Sequence, residues 1–145
     1  MLRMLIIEDN ETSANELMRK LEGLSAGVGC QLEFELVARD HLDQFKDYFR
    51  SRYDHPVLDS SNQFDITSLD VIFKESMEGK ERRGGIRLYH WIANNNYLHH
   101  IGRVVLRSHE NVERIAGVTR VSKGTLQEAD DWATILREEL DKRGH

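Results

Sequence analysis

Acidic side chains end two of the apolar runs in this 145-residue chain. The run Met4–Ile7 is followed directly by Glu8 and Asp9, and Asp70 lies near the carboxyl end of the run 64–73. If both runs are parallel strands, their carboxyl ends meet at one edge of a sheet, where α/β folds bind ligands. Three carboxylates gathered there repel one another and stay ionised only around a cation. Because hard oxygen ligands suit Mg²⁺, we predict a magnesium site.

Two more polar side chains follow later apolar runs. Ser108 comes after the run 101–106, and Lys123 comes after the short run 118–121. Arg107 leaves the register of Ser108 open by one position. A lysine adds a positive charge for a phosphate group, and a hydroxyl adds a hydrogen bond. With charge stabilisation of this kind, Asp70 could act as a nucleophile toward phosphorus.

The elements that must position these residues alternate along the chain. Five predicted strands alternate with helical patterns, and strand two, 32–36, has the apolar and polar alternation of an edge strand. Such alternation predicts a parallel sheet with helices on both faces. Right-handed crossovers favour a flavodoxin-like, doubly wound sheet in the order 2-1-3-4-5. This order brings the ends of strands one, three, four and five into one crevice.

Helix starts are marked by capping residues. Asn10 or Thr12 can cap the first helix, Asp40 can cap the second, and the segment 125–128 reads as a capping box for the last. A further helix of about two turns is predicted near 111–116.

Three segments predict turns or loops. Residues 25–29 contain glycines and predict a turn, and a polar loop with Pro56 extends to about Gln63. The highly charged segment 74–85 predicts either a solvated flexible loop or a mobile flap beside the site.

Composition limits the class of protein. The net charge of −5 gives no general attraction to nucleic acid or acidic membranes. A single cysteine, Cys30, excludes an intrachain disulfide and a cysteine-based zinc site. No apolar run could span a membrane, and the N-terminus lacks the pattern of a signal peptide. We expect one cytoplasmic domain over residues 1–145, monomeric or weakly dimeric, with no output domain.

In its motifs the chain resembles the receiver domains of response regulators in two-component signalling. The matching motifs are Leu5-Ile-Ile-Glu-Asp-Asn10, Phe64-Asp-Ile-Thr-Ser-Leu-Asp70, Val104-Val-Leu-Arg-Ser108 and Val121-Ser-Lys123. The resemblance extends from Met4 to about Leu140. It implies a stand-alone phosphoacceptor, phosphorylated by a histidine kinase or phosphotransfer protein and signalling to a downstream protein partner. Enzymatic activity would be limited to its own phosphorylation and dephosphorylation.

The resemblance also implies a role for each site residue. Asp70 would be the phosphoacceptor, and Mg²⁺ would be held by Glu8, Asp9, Asp70 and the backbone carbonyl of Ile72. The remaining roles are the switch hydroxyl of Ser108 and the pairing of Lys123 with Asp70 or its phosphate.

Two positions depart from the family pattern. Gly124 stands where the family has proline, and Arg120 stands where it has the switch aromatic residue. A guanidinium is costly to bury without a partner, so we expect Arg120 to stay at the surface near an acid such as Glu110 or Glu113.

Two other functions remain open. One is a pseudo-receiver, a phosphate-independent protein-binding module with the same fold. The other is a Mg²⁺-dependent phosphohydrolase with an aspartyl intermediate. The hydrolase lacks an acid two residues beyond Asp70, where Ile72 stands, so no side chain is placed there for general acid–base catalysis.

Overall fold

The computed structural model describes residues 1–54, 62–74 and 81–144, and only the backbone of Lys74, Glu81 and Arg82. Within these residues the strands are β1 Leu2–Glu8, β2 Leu32–Ala38, β3 Ile66–Asp70, β4 Phe73–Lys74, β5 Glu81–Arg82, β6 Arg103–Ser108 and β7 Thr119–Ser122. The helices are α1 Glu11–Val28, α2 Leu42–Tyr53, α3 Gly84–Asn94, α4 Leu98–Ile101 and α5 Glu128–Lys142.

The main sheet is parallel and has five strands in the order β2-β1-β3-β6-β7. Because β6 and β7 are the fourth and fifth strands of this sheet along the chain, this confirms the predicted flavodoxin-like order 2-1-3-4-5. The amphipathic β2 lies at an edge, as predicted. In the register, Ile7 pairs with Leu69, and Asp70 pairs with Arg107. The carboxyl ends of β1, β3 and β6 therefore lie side by side.

Each face of the sheet is covered by an apolar cluster. On one face α1 and α5 pack over alternate strand residues such as Ile66 and Val105, around the fully buried Trp132. On the other face α2 and α3 pack over the intervening residues, with Phe45 and Phe49 fully buried. None of the described helices is both long and apolar enough to cross a membrane.

Of the predicted helix starts, only the first is confirmed. Asn10 caps α1, and its Oδ1 accepts a hydrogen bond of 3.1 Å from the amide of Ser13. The turn predicted over 25–29 is wrong, because α1 continues to Val28. Gly29, with φ +72°, is the C-cap of this helix. The cap predicted at Asp40 is also wrong, since His41 is the N-cap of α2 and makes no side-chain capping bond.

The predicted fourth strand is displaced by two residues. Ile101 ends the short helix α4, and β6 begins at Arg103 and continues through Ser108. Ser108 therefore lies inside the strand rather than after it. Because side chains alternate along a strand, Arg107 shares the α1/α5 face with Val105, whereas Ser108 points to the opposite face.

The segment between β6 and β7 contains no regular helix, so the short helix predicted near 111–116 is wrong. Arg120 is exposed, as predicted. Its Nη1 donates a hydrogen bond to the backbone carbonyl of Val112 rather than to an acid.

The predicted loop 74–85 is described only at its two ends, because residues 75–80 lie outside the described residues, as does Pro56 in the earlier predicted loop. The ends form the antiparallel pair of β4 and β5, and α3 begins at Gly84. The amide of Gly85 donates to the carbonyl of Val71 at 2.9 Å. A Cβ atom on Gly85 would lie 2.0 Å from the carbonyl oxygen of Asp70, so a glycine is required for this close approach.

Candidate functional site

Three carboxylates meet at the carboxyl edge of the sheet. Glu8 ends β1, Asp9 follows it, and Asp70 ends β3. Each offers an oxygen atom that lies within 4.8 Å of the other two. Glu8 and Asp70 are buried, and Asp9 is partly exposed. The sequence predicted this convergence from the strand ends alone.

The carboxylates line a cavity of about 530 Å³ at this edge. Ile72, whose backbone carbonyl the resemblance assigns to the metal, lines it too. The other lining residues come mainly from α1, the end of β6 and the start of α5: Asn10, Ser13, Glu16, Lys20, Arg107, His109, Lys123, Gly124 and Glu128.

Lys123 brings a positive charge to the carboxylates. It follows β7 directly, and its amide donates to the carbonyl of Ser108 at 2.8 Å, which ties this turn to β6. Its Nζ lies 3.8 Å from Oδ1 of Asp70 and 3.8 Å from Oε2 of Glu8. One lysine therefore faces two of the three acids.

Burial makes the negative charge of this cluster costly. Burial, together with the nearby Asp70 carboxylate, raises the pKa of Glu8 to about 9. Burial also raises the pKa of Asp70, although Lys123 and Arg107 act in the opposite direction. Among the described residues, Oε1 of Glu8 is buried without a hydrogen-bond partner. A buried, unpaired oxygen beside two further carboxylates fits a divalent cation with oxygen ligands such as Mg²⁺.

Glu128 organises the side of the cavity opposite the carboxylates. It is fully buried, and it accepts hydrogen bonds from Lys20 Nζ at 2.9 Å and from the amide of Gly124 at 3.1 Å. It also accepts from Trp132 Nε1 at 3.2 Å and from Nε and Nη2 of Arg107. Burial by itself would raise the pKa of Glu128, but these donors outweigh it and lower the pKa to about 2.

The predicted capping box at 125–128 is therefore wrong. The side chain of Glu128 turns into the protein, and the Oγ1 atom of Thr125 donates to the carbonyl of Ser122 at 2.9 Å instead of capping α5. The glycine at position 124 has a physical reason. A proline could neither donate to Glu128 nor adopt the φ of +76° at this position.

The contacts of Arg107 and Glu128 were not predicted from the sequence. A signal was present, because Arg107 directly follows the apolar run 104–106, and both of its neighbours, Leu106 and Ser108, are buried. A charge in that position needs a buried partner. The partner itself is remote in sequence and depends on how α5 packs.

Ser108 does not line the cavity of the carboxylates. Its Oγ accepts a hydrogen bond of 3.0 Å from the amide of Glu110. It lines a separate cavity of about 500 Å³ on the other face of the sheet, together with Arg120. Four of the predicted side chains therefore lie together at this cavity, namely Glu8, Asp9, Asp70 and Lys123. Arg107 lines the cavity where the hydroxyl of Ser108 was expected.

No protein-family model and no curated protein matches this chain.

Proposed function

We propose that this chain is a receiver-like phosphoacceptor that takes a phosphoryl group on Asp70. Its donor would be a histidine kinase or a phosphotransfer protein, and it would signal through contacts with a downstream protein. The observation that carries the proposal is the convergence of Glu8, Asp9 and Asp70, with oxygens within 4.8 Å, next to Lys123.

Asp70 is the nucleophile in this proposal. One of its carboxylate oxygens attacks the phosphorus of the donor, the bond from phosphorus to the donor's nitrogen or oxygen breaks, and an acyl phosphate forms. The leaving group departs with the bonding electron pair. Later attack of water on the phosphorus releases inorganic phosphate and restores the carboxylate.

Lys123 balances charge in both states. Its Nζ, 3.8 Å from Oδ1 of Asp70, offsets the repulsion among the acids before transfer and the added charge after it. Mg²⁺, held by Glu8, Asp9, Asp70 and the carbonyl of Ile72, would neutralise charge on the transferring phosphoryl oxygens.

The metal part of the proposal predicts the behaviour of Asp9→Asn. This variant removes one of three carboxylate ligands, so we expect its Mg²⁺ affinity to be at least about tenfold lower than that of the wild type. Isothermal titration calorimetry measures both affinities. Asp43→Asn is the control, because the same substitution on the exposed surface of α2 lies outside the cavity and should leave the affinity unchanged. Equal Mg²⁺ affinity in wild type and Asp9→Asn would contradict the proposal.

A phosphate-independent protein-binding module is the second candidate. The observation that favours it is that two protein cations already face Glu8, Lys123 Nζ at 3.8 Å and Arg107 Nη1 at 3.9 Å. These charges could hold the buried acid without any metal ion. A wild-type protein that binds neither Mg²⁺ nor a phosphate mimic would support this candidate.

A further inference from the structure

Arg107 is fixed against the acidic cluster by the fold. It pairs with Asp70 in the register of β6 and β3, and both side chains point to the α1/α5 face. The Arg107 side chain is 6% exposed, and Arg107 lines the same cavity as Asp70 and Lys123.

Glu128 uses only part of this guanidinium. Its two oxygens accept from Nε and Nη2 of Arg107, which sets the plane of the group. Among the described residues, Nη1 has no hydrogen-bond partner, although it is buried. It lies 3.9 Å from Oε2 of Glu8, beyond hydrogen-bonding distance.

A buried N–H group without a partner is costly, and each such group needs an explanation. Arginine is the side chain best suited to a phosphate group, since its planar fork offers several donors in a rigid arrangement. Here Glu128 holds one edge of the fork, and Nη1 is left 3.9 Å from Oε2 of Glu8, within the acidic cluster that contains the phosphoacceptor.

We propose that Arg107 is a second phosphate-binding cation of this site and donates from Nη1 to the phosphoryl group on Asp70. This inference rests on the proposed function and deepens it. The phosphoryl group on Asp70 would carry up to about two negative charges, about one more than the free carboxylate, and Lys123 and Arg107 would stabilise it from two sides. Ser108 cannot supply the expected hydrogen bond, because its hydroxyl lies on the other face of the sheet.

The alternative is a purely structural role, in which Arg107 only joins β6 to α5 through Glu128. The two roles predict different changes in the affinities for Mg²⁺ and for a phosphate group when Arg107 is replaced. A cation in the site repels Mg²⁺ and attracts a phosphate group, so its removal should change the two affinities in opposite directions. Loss of a structural contact would leave both affinities unchanged or weaken both.

The test measures Mg²⁺ affinity and, at saturating Mg²⁺, affinity for the phosphate mimic beryllofluoride, in wild type and Arg107→Met. We expect beryllofluoride binding to weaken about ten- to a hundredfold, as for loss of a charged hydrogen bond, and Mg²⁺ binding to tighten. Calorimetry gives the first affinity and amide NMR titration the second. Glu128 keeps three other donors in this variant, Lys20, Gly124 and Trp132.

Arg103→Met is the matched control. Arg103 is on the same strand and the same face, but it forms ion pairs with Glu138 and Glu139 away from the cavity. We expect both affinities to remain at the wild-type values. Should Arg107→Met fail to fold, Arg107→Lys keeps the charge with a shorter reach, and we expect weaker beryllofluoride binding with little change in Mg²⁺ affinity.

The outcomes separate the two proposals. If the wild type binds beryllofluoride and the Arg107 variants bind it equally well, the role of Arg107 is overturned while the phosphoacceptor stands. If the affinities for both ligands fall together, Arg107 is structural. If the wild type binds no beryllofluoride at saturating Mg²⁺, the proposed function fails, and the role of Arg107 fails with it.

Discussion

Replacement of Glu128 by glutamine is expected to lower the free energy of unfolding by about 3–5 kcal/mol, the cost of breaking a buried ion pair by removing one partner. The carboxylate is fully buried and accepts from the guanidinium of Arg107, which is also a buried residue. Glutamine is similar in size but carries no charge, so Arg107 would remain buried without the carboxylate that holds it most closely. Urea denaturation at neutral pH measures the difference.

Glu138→Gln on the same helix is the control. Glu138 is half exposed and forms an ion pair of 3.7 Å with Arg103, so its loss should cost at most about 1 kcal/mol. The double variant Arg107→Met with Glu128→Gln should regain part of the lost stability, because it no longer buries a guanidinium that lacks the Glu128 carboxylate. An equal loss in Glu128→Gln and Glu138→Gln would contradict the organising role of Glu128.

The stability of the protein at acid pH tests the same interaction in a second way. The pKa of Glu128 is lowered from 4.5 to about 2 in the folded protein. Its contribution to stability is therefore present above about pH 4.5 and is lost as the pH falls toward 2. Between these values we expect the wild type to lose more stability than Glu128→Gln.

Replacement of Glu8 by glutamine is expected to stabilise the metal-free protein. In the fold, Glu8 is buried beside Asp70 with an unpaired oxygen, and burial raises its pKa from 4.5 to about 9. A raised carboxyl pKa means that stability is highest below about pH 4.5 and falls as the pH rises toward 9. Glutamine does not titrate, so the stability advantage of the variant should grow as the pH rises over this range.

Mg²⁺ should reduce or reverse this difference. In the proposed site the ion would bind the folded state. The wild type offers it one more carboxylate than Glu8→Gln, so the wild type should gain more stability from saturating metal. Thermal unfolding with and without Mg²⁺ measures the effect. Glu33→Gln, which changes an exposed acid of β2, should alter the free energy of unfolding by less than about 1 kcal/mol, both with and without Mg²⁺. A Glu8→Gln variant that is less stable than the wild type without Mg²⁺ would contradict the account.

The sheet and the acidic cluster could be predicted because their signals are local. Hydrophobic runs bounded by polar residues mark the strands, and the alternation in β2 marks an edge. Once the strand order is known, Glu8, Asp9 and Asp70 must meet, since each stands at the carboxyl end of a neighbouring strand. Lys123 follows from the same rule.

The part of the site formed by Arg107 and Glu128 depends on tertiary contacts, which local sequence patterns do not predict. Glu128 has the spacing of a capping residue, but tertiary contacts to Arg107 and Lys20 draw its side chain inward. The register of β6 is set by where α4 ends, at Ile101, and the apolar run from Ile101 does not reveal it. A shift in that register exchanges the faces of Arg107 and Ser108, because side chains alternate along a strand.

The central claim is that Asp70 accepts a phosphoryl group, and intact-mass spectrometry after incubation with acetyl phosphate tests it most directly. We expect the wild type to gain the mass of one phosphoryl group in the presence of Mg²⁺, and to gain much less when Mg²⁺ is removed by a chelator. Asp70→Asn should gain none, whereas the surface control Asp43→Asn should gain as much as the wild type. A wild type that gains no mass, or an Asp70→Asn variant that still gains it, would contradict the claim.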